Sequence, residues 1–501
     1  MNKFKLLGQV YTPTWIVRII LDEANYSGHH ILGKTVLEPA CGDGAFLTEI
    51  VRRYIQAAKQ ENLPTYKIIS DLETYIYGIE KDPTAYQQCL TNLNKLIQKE
   101  LTSCTLNWKI FCDDTLIKYQ DYLKSFDFIF GNPPYIRIHN LDRQTRILIK
   151  EKMQFTNGML DIYISFFEMA LQMLKTNGVL GFITPNTFLH NTSYQNFRKF
   201  LQKKQNIKMI CDFQSNKIFD GFSTYTAITI IDQSQQQQNF TYKEKSKQKQ
   251  KINSVNQINF TDLNSQKWTL SNHENSNFLN TLFSTSNTQM KELFNIQYGF
   301  ATLRDKIFIA SATNKTDTHI QLNGHWLERK ILRKIIKGSC YKGDKNQIEY
   351  IIFPYHKKNG KYHAYTENEL MKDFPLTYLY LLENKDELLK RDLDKNTLWY
   401  EFGRSQGIQT SHTPKIVIST MINDSINFFR LPKEILVYSG IFLSAKYDEH
   451  DLSLAEQILK SPEFFRYTRL TGKDFSGGYK SLSTKQIKEY PISIPKPHSL
   501  F

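Results

Sequence analysis

Asn132-Pro133-Pro134-Tyr135 closes an apolar run, Phe126–Phe130, that reads as a buried β-strand broken only by Asp127. Two consecutive prolines donate no backbone hydrogen bonds and fix φ, so the tetrapeptide ends a strand rather than continuing it. The corner then offers two acceptors, the Asn132 side-chain oxygen and the Pro133 carbonyl, followed by an aromatic ring. Such a set suits an exocyclic amine whose lone pair is delocalised into a heterocycle. Each oxygen takes one amino hydrogen, the nitrogen is held nearer tetrahedral geometry, and its lone pair is aimed at an electrophile. The gain is orientation and electrostatic preorganisation, without a covalent intermediate. Tyr135 supplies a face on which an extruded base stacks, and Phe219, in Asn-Lys-Ile-Phe-Asp-Gly-Phe, is the expected second face. A base inside a duplex is out of reach, so it must leave the stack first.

A second constellation lies upstream. Val36–Val51 runs from a strand through a Gly-rich turn into a helix, with Gly42 and Gly44 permitting a tight turn and close approach of a ligand. Gly-x-Gly alone also describes any tight strand–helix turn. Acidic Glu38 precedes this turn, Glu80 ends the next strand where an acid can take two ribose hydroxyls, and Asp113 and Asp114 end the third. The spacing from Gly44 to Glu80 is longer than the ~20 residues of dinucleotide folds, which predicts an insertion or extended helix around Arg52–Tyr75. Carboxylates converging at one strand edge suit a cation better than a pyrophosphate, and the Gly-Lys-Ser/Thr of a P-loop is absent. S-adenosylmethionine, with a sulfonium, an ammonium and a ribose, fits.

The elements that must position these groups alternate. Strands are expected at Thr35–Glu38, Ile76–Glu80, Trp108–Cys112, Phe126–Phe130, Gly178–Thr184, Lys208–Phe213 and Thr226–Asp232, with helices at Ala45–Lys59, Ala85–Glu100 and Asp161–Leu174. The pattern predicts an α/β fold, a doubly wound and mostly parallel sheet. The last two strands lack a helix between them and predict an antiparallel edge hairpin. Residues 1–232 form the expected catalytic domain. Residues 233–269, rich in Gln and Lys, read as a linker or exposed loop in which a short strand pair could be hidden, and 270–501 as a separate α+β domain.

Composition narrows the partner. The chain of 501 residues carries a net charge of +15, divided as +4 up to Asp232 and +11 beyond it, which points to an anionic macromolecule, nucleic acid ahead of membrane. A lysine-rich but merely solvated surface is the plain alternative. Six cysteines without a CxxC pair argue against a zinc site and a disulfide framework. No metal is expected. The absence of a signal peptide and of a long apolar run predicts a cytoplasmic protein.

Taken together, the motifs and their order resemble the gamma-class adenine-N6 DNA methyltransferases of the TaqI-like type. The matching residues are Gln9-Val10-Tyr11-Thr12-Pro13, Glu38-Pro39-Ala40-Cys41-Gly42-Asp43-Gly44, Gly78-Ile79-Glu80, Asp113, Asn132-Pro133-Pro134-Tyr135, Gly178–Phe188 and Phe219. The resemblance is strong over residues 8–230 and general elsewhere. It implies a class I methyltransferase fold and S-adenosylmethionine as cofactor. Thr12 would hold the methionine moiety, Glu80 the ribose and Asp113 the adenine amino group, with Glu38, Ala40, Cys41, Gly42, Gly44 and Asn132 completing the cofactor site. Asn132, Pro133, Pro134 and Tyr135 would be catalytic, and Phe219 would pair with Tyr135 around the base. The resemblance also implies a sequence-specific modification enzyme belonging to or derived from a restriction-modification system.

Sequence choice would then fall to residues 270–501 as a target-recognition domain. Phosphate contacts position and base-edge contacts specify. The expected contacts are Arg404 with Gln406 or Gln409 on base edges, and Lys337, Lys357, Lys473 and Tyr479 from basic, turn-rich segments. Each of these segments also reads as an ordinary surface loop. A monomer on double-stranded DNA is expected, with any restriction endonuclease a separate chain. Two other classes share parts of the pattern: methyltransferases of RNA or protein glutamine, which pose the same lone-pair problem, and a non-catalytic DNA-specificity subunit.

Overall fold

A computed structural model of the chain describes residues 12–101, 106–155, 161–214, 218–219, 225–234, 236–245, 252–271, 273–447, 452–473, 475 and 478–493. The chain divides into two units, Met1–Ser276 and Asn277–Phe501.

The first unit is built on one nine-stranded sheet of order β3-β2-β1-β4-β5-β7-β6-β8-β9. Its strands are β1 (Val36–Glu38), β2 (Ile76–Glu80), β3 (Lys109–Cys112), β4 (Phe126–Gly131), β5 (Leu174–Pro185), β6 (Ile207–Asp212), β7 (Thr226–Asp232), β8 (Asn239–Lys245) and β9 (Ile252–Asn259). From β3 to β5 all pairings are parallel. Neighbouring residues along the strands face opposite sides. Phe130 and Ile183 join one apolar cluster with helices α1 (Thr14–Glu23), α2 (Ala45–Gln60), α3 (Thr65–Tyr75) and α4 (Pro83–Glu100). Ile129 and Phe182 join the other, with α5 (Tyr163–Met173) and α6 (Gln195–Lys204). Burial on both faces is what the nearly continuous apolar strands require. The long spacing between Gly44 and Glu80 is α3, an extra helix between α2 and β2.

Two expectations are corrected. The β6–β7 pair is antiparallel, but it is not the sheet edge: β7 lies between β5 and β6, and β8 and β9 extend the sheet beyond β6. Residues 233–269 are accordingly not a linker throughout. Phe240 and Tyr242, alternating with Thr241 and Lys243, are buried with Ile258, Phe260 and Trp268 against the α5–α6 side. Aromatic rings at every second position substitute for aliphatics, so polar composition concealed an amphipathic strand.

The second unit is α+β. It holds two four-stranded sheets, one of Phe294–Tyr298, Ile441–Ala445, Lys415–Ile418 and Phe428–Leu431, the other of Ile309–Ala310, Glu349–Ile352, Leu332–Lys337 and Ile435–Tyr438. Helices Pro375–Glu383, Leu452–Lys460 and Pro462–Thr471 accompany them.

Candidate active site

The carboxyl ends of β1, β2, β3 and β4 are neighbours in the sheet, and the expected chemistry gathers there. After β1 the chain turns through Gly42 (φ 53°) and Gly44 (φ 83°), both left-handed, into α2. The turn is tied to β2 by Cys41 N–H donating to the Ile79 carbonyl (3.0 Å) and closed by Gly44 N–H donating to the Cys41 carbonyl (2.7 Å). The two glycines differ. A Cβ on Gly44 would stand 2.7 Å from Cys89 Sγ, whereas one on Gly42 would meet nothing within 4 Å. Gly44 is thus required by packing onto α4, and Gly42 borders open space.

Glu80, 8% exposed, spans the turn: Gly42 N–H donates to Oε2 and Asp82 N–H to Oε1, each at 2.8 Å. Burial pushes its carboxyl above the ordinary range, against the backbone donors that pull it down. Each oxygen retains a second lone pair for a hydroxyl donor. Glu38 is more deeply placed. Its Oε2 accepts from Leu47 N–H (3.1 Å) in the first turn of α2, and burial pushes its carboxyl well up. Glu38 therefore acts on the turn and helix start. Asp113 N–H donates to the Glu80 carbonyl (3.0 Å), and its carboxylate is partly exposed at the end of β3 with Lys118 Nζ 3.7 Å away. Asp114 instead caps the following turn, accepting from Leu116 N–H, and pairs with Lys81. Thr115, not anticipated, donates its hydroxyl to the Pro39 carbonyl and ties the β3 end to the Gly-rich turn.

Asn132 follows β4, which lies beside β1 in register Val36↔Phe128. Its Nδ2 donates to Thr12 Oγ1 at 3.1 Å. This bond brings together two motifs far apart in sequence, residues 12 and 132, and the Asn132 amide oxygen is buried. Gln9–Tyr11 lie outside the described residues. Pro133 is buried, and Tyr135 Oη donates to the Ile183 carbonyl of β5 at 3.4 Å, with burial pushing the phenol well up. Tyr135 and Phe219 do meet, with ring centroids 6.4 Å apart, but at 66°, edge to face. A base sandwiched between them needs near-parallel faces, so the two rings would have to reorient to take one.

Residues 68–219 match the Eco57I restriction-modification methylase family. Along most of the chain, RM.Eco57I of Escherichia coli, a type II restriction enzyme and methyltransferase, is 24% identical over 96% of this chain and 56% of its own length. The type II methyltransferase M.BanIII of Aneurinibacillus aneurinilyticus is 24% identical over 99% of this chain and 90% of its own. M.BstVI of Geobacillus stearothermophilus is 30% identical over 46% and 43%. Over these stretches the chain is similar to type II restriction-modification methyltransferases. It spans about half the length of RM.Eco57I and M.BstVI. Its fold is similar to that of the type IIL restriction-modification enzyme MmeI, solved in complex with DNA, with a TM-score of 0.61 at 14% identity over 95% of this chain and 65% of that one.

The contacts expected of the second unit separate into two groups. The Arg404 guanidinium is engaged internally, donating to the Asp392 carbonyl and carboxylate (2.5 and 2.9 Å) and lying 3.3 Å from Asp394. Gln409 is engaged too, its amide bridging both main-chain groups of Tyr362. Both side chains thus hold local partners in the structure. Gln406 is exposed and lines a cleft of about 860 Å³ with Tyr298, Leu303, Arg304, Met421 and Phe475. Lys337, Lys357, Lys473 and Tyr479 are exposed. Among the described residues no group of His, Cys, Asp and Glu is arranged to hold a metal ion, and no helix is long and apolar enough to cross a membrane.

Proposed function

We propose that the chain transfers a methyl group from S-adenosylmethionine to N6 of an adenine flipped out of double-stranded DNA, with sequence chosen by the second unit. The observation that carries this reading is the Asn132 corner: its amide nitrogen is held by Thr12, its strand adjoins β1, and the Gly42 turn opens one strand away. The residues fit the cofactor. Gly42 leaves room for it, Glu80 presents two carboxylate oxygens for ribose hydroxyls, and Asp113 stands partly exposed at the next strand end. When bound, S-adenosylmethionine supplies an electrophilic methyl on a positive sulfur. The Asn132 oxygen and the Pro133 carbonyl accept the two amino hydrogens of the target, which localises the nitrogen lone pair and raises its nucleophilicity as positive charge develops there. Tyr135 and Phe219 part from their edge-to-face contact to take the flipped base between them. The unfavourable unstacking of the base is offset in part by that contact.

Outside the cofactor site, Gln406 and Arg304 in the cleft of the second unit supply base-edge and phosphate contacts, and the exposed lysines supply phosphate contacts. We also propose a cytoplasmic monomer, served where restriction occurs by a separate endonuclease chain. The test is sequencing that detects modified bases in DNA from cells expressing the wild-type chain or Asn132→Ala. N6-methyladenine at a fixed motif, present with the first and absent with the second, is the expected result. Modification of cytosine, or of RNA or a release factor in place of DNA, overturns it.

A further inference from the structure

The Ile-Thr-Pro-Asn segment at the end of β5, residues 183–186, takes no part in the chemistry described, yet it holds both aromatic walls of the proposed base site. Asn186, 2% exposed, donates through both of its nitrogens. Its main-chain N–H donates to the Tyr225 carbonyl at 2.9 Å, and its side-chain Nδ2 donates to Asp212 Oδ1 at 3.0 Å. Asp212 is the last residue of β6 and Tyr225 immediately precedes β7, so the two partners stand at the two ends of the connection that carries Phe219. Asp212 Oδ1 also accepts from Gln214 N–H at 2.8 Å, which turns the chain as it enters that connection. Three residues before Asn186, the Ile183 carbonyl accepts the Tyr135 hydroxyl. One stretch of four residues, 183–186, thus anchors the ring on one side of the proposed base site and both roots of the segment bearing the ring on the other.

We propose that Asn186 is a positioning residue for base capture: by fixing both ends of the Phe219 segment to β5, it sets the separation of Phe219 from Tyr135. This rests on the reading of the site as one that takes a flipped base. An amide is suited to the task. It donates to a carboxylate without adding charge to a buried place, and the matched pair avoids the penalty of a buried polar group left unsatisfied. Loss of the side chain leaves the main-chain bond to Tyr225 and the β6–β7 ladder in place, and removes only the side-chain tie to Asp212 where the chain enters the connection.

The test uses the full chain and a duplex bearing its methylation motif, once sequencing has identified that motif. Asn186→Ala and Asp212→Ala should each raise KM for the duplex about tenfold, the loss expected when one stacking face is misplaced, with the dissociation constant for S-adenosylmethionine unchanged. Asp212→Asn, whose amide oxygen can still accept from Asn186, should stay near wild type. The deficit of both alanine variants should shrink on a duplex whose target adenine faces an abasic site, since such a base is extruded at little cost. Wild-type KM in both alanine variants overturns the inference, as does an Asp212→Asn chain as impaired as Asp212→Ala. A deficit that is the same on the abasic duplex also overturns it. If the wild-type chain methylates no adenine, the proposed function itself is refuted, which the sequencing step reveals before any variant is made.

Discussion

Gly42 and Gly44 sit two residues apart in one turn, both at positive φ, and their replacement by alanine should fail in different ways. A left-handed alanine costs roughly 1–2 kcal/mol at either place. At Gly44 the new Cβ would also stand 2.7 Å from Cys89 Sγ in a buried contact with α4, adding an overpacking cost of about 1–3 kcal/mol. Gly44→Ala should therefore lose roughly 2–5 kcal/mol of stability. Because that overlap is with one named atom, Cys89→Ala should give back part of it. A double-mutant cycle should return a favourable coupling of about 1–3 kcal/mol. At Gly42 nothing in the protein meets the Cβ, so stability should fall only by the conformational cost. The methyl would instead enter the space assigned to the cofactor. An overlap there of about 1–3 kcal/mol corresponds to a loss of affinity of roughly 5- to 150-fold. Urea unfolding measures the first quantity, and calorimetric titration with S-adenosylmethionine the second. A folded Gly42→Ala chain that binds the cofactor like wild type would refute the assignment of that space, and with it the reading of this turn as more than a strand–helix corner.

Four further outcomes follow from particular contacts. Asn132→Ala should keep cofactor affinity within a few fold and slow single-turnover methylation by about 10²-fold or more, the scale for removing one preorganised partner of the reacting group; an unchanged rate removes the acceptor role. Glu80 has a carboxyl raised by burial, and its ionised form is the one that accepts ribose hydroxyls. Cofactor affinity should therefore weaken as pH falls, starting above the ordinary glutamate value of about 4.3, and titrations of Glu80→Gln should lack this dependence. Arg404→Ala should cost no more than about 1 kcal/mol, its ion pairs being largely solvated, and leave the methylated motif unaltered, whereas Gln406→Ala should relax the motif at one position in methylation sequencing. Burial pushes the Lys415 amine down to about 8, with Nζ donating to the Ile435 carbonyl at 2.9 Å. Between about 8 and about 10.4 the unfolded chain holds that proton and the folded chain does not, so stability of the second unit should rise with pH across that window. Lys415→Met should flatten the rise in urea-unfolding midpoints.

The parts of this molecule that could be read from its residues are those where local chemistry and the sheet demand the same thing. Ile76–Glu80 and Thr226–Asp232 are strands at the expected bounds, because apolar runs buried on both faces leave no alternative period. The double proline after β4 and the paired glycines after β1 are likewise local constraints, and each marks a strand end at the same sheet edge. The corrections arise where a residue's fate is decided by partners far along the chain. Arg404 and Gln409 carry the right groups for base edges, and their local partners, Asp392, Asp394 and Tyr362, could not be read from spacing. Residues 239–259 look like a polar spacer until Phe240 and Tyr242 find a face to cover. Asn186 lies within Gly178–Phe188, a stretch the resemblance covers without giving this residue a role, and only the antiparallel return of β7 brings Asp212 and Tyr225 to it. Register thus carries functional information that spacing cannot. The same β5–β7 pairing, Pro185 opposite Thr226, that completes the sheet also decides how far apart two aromatic rings stand, so a substitution that shifts this register without touching either ring should disturb base capture as surely as removing one of them.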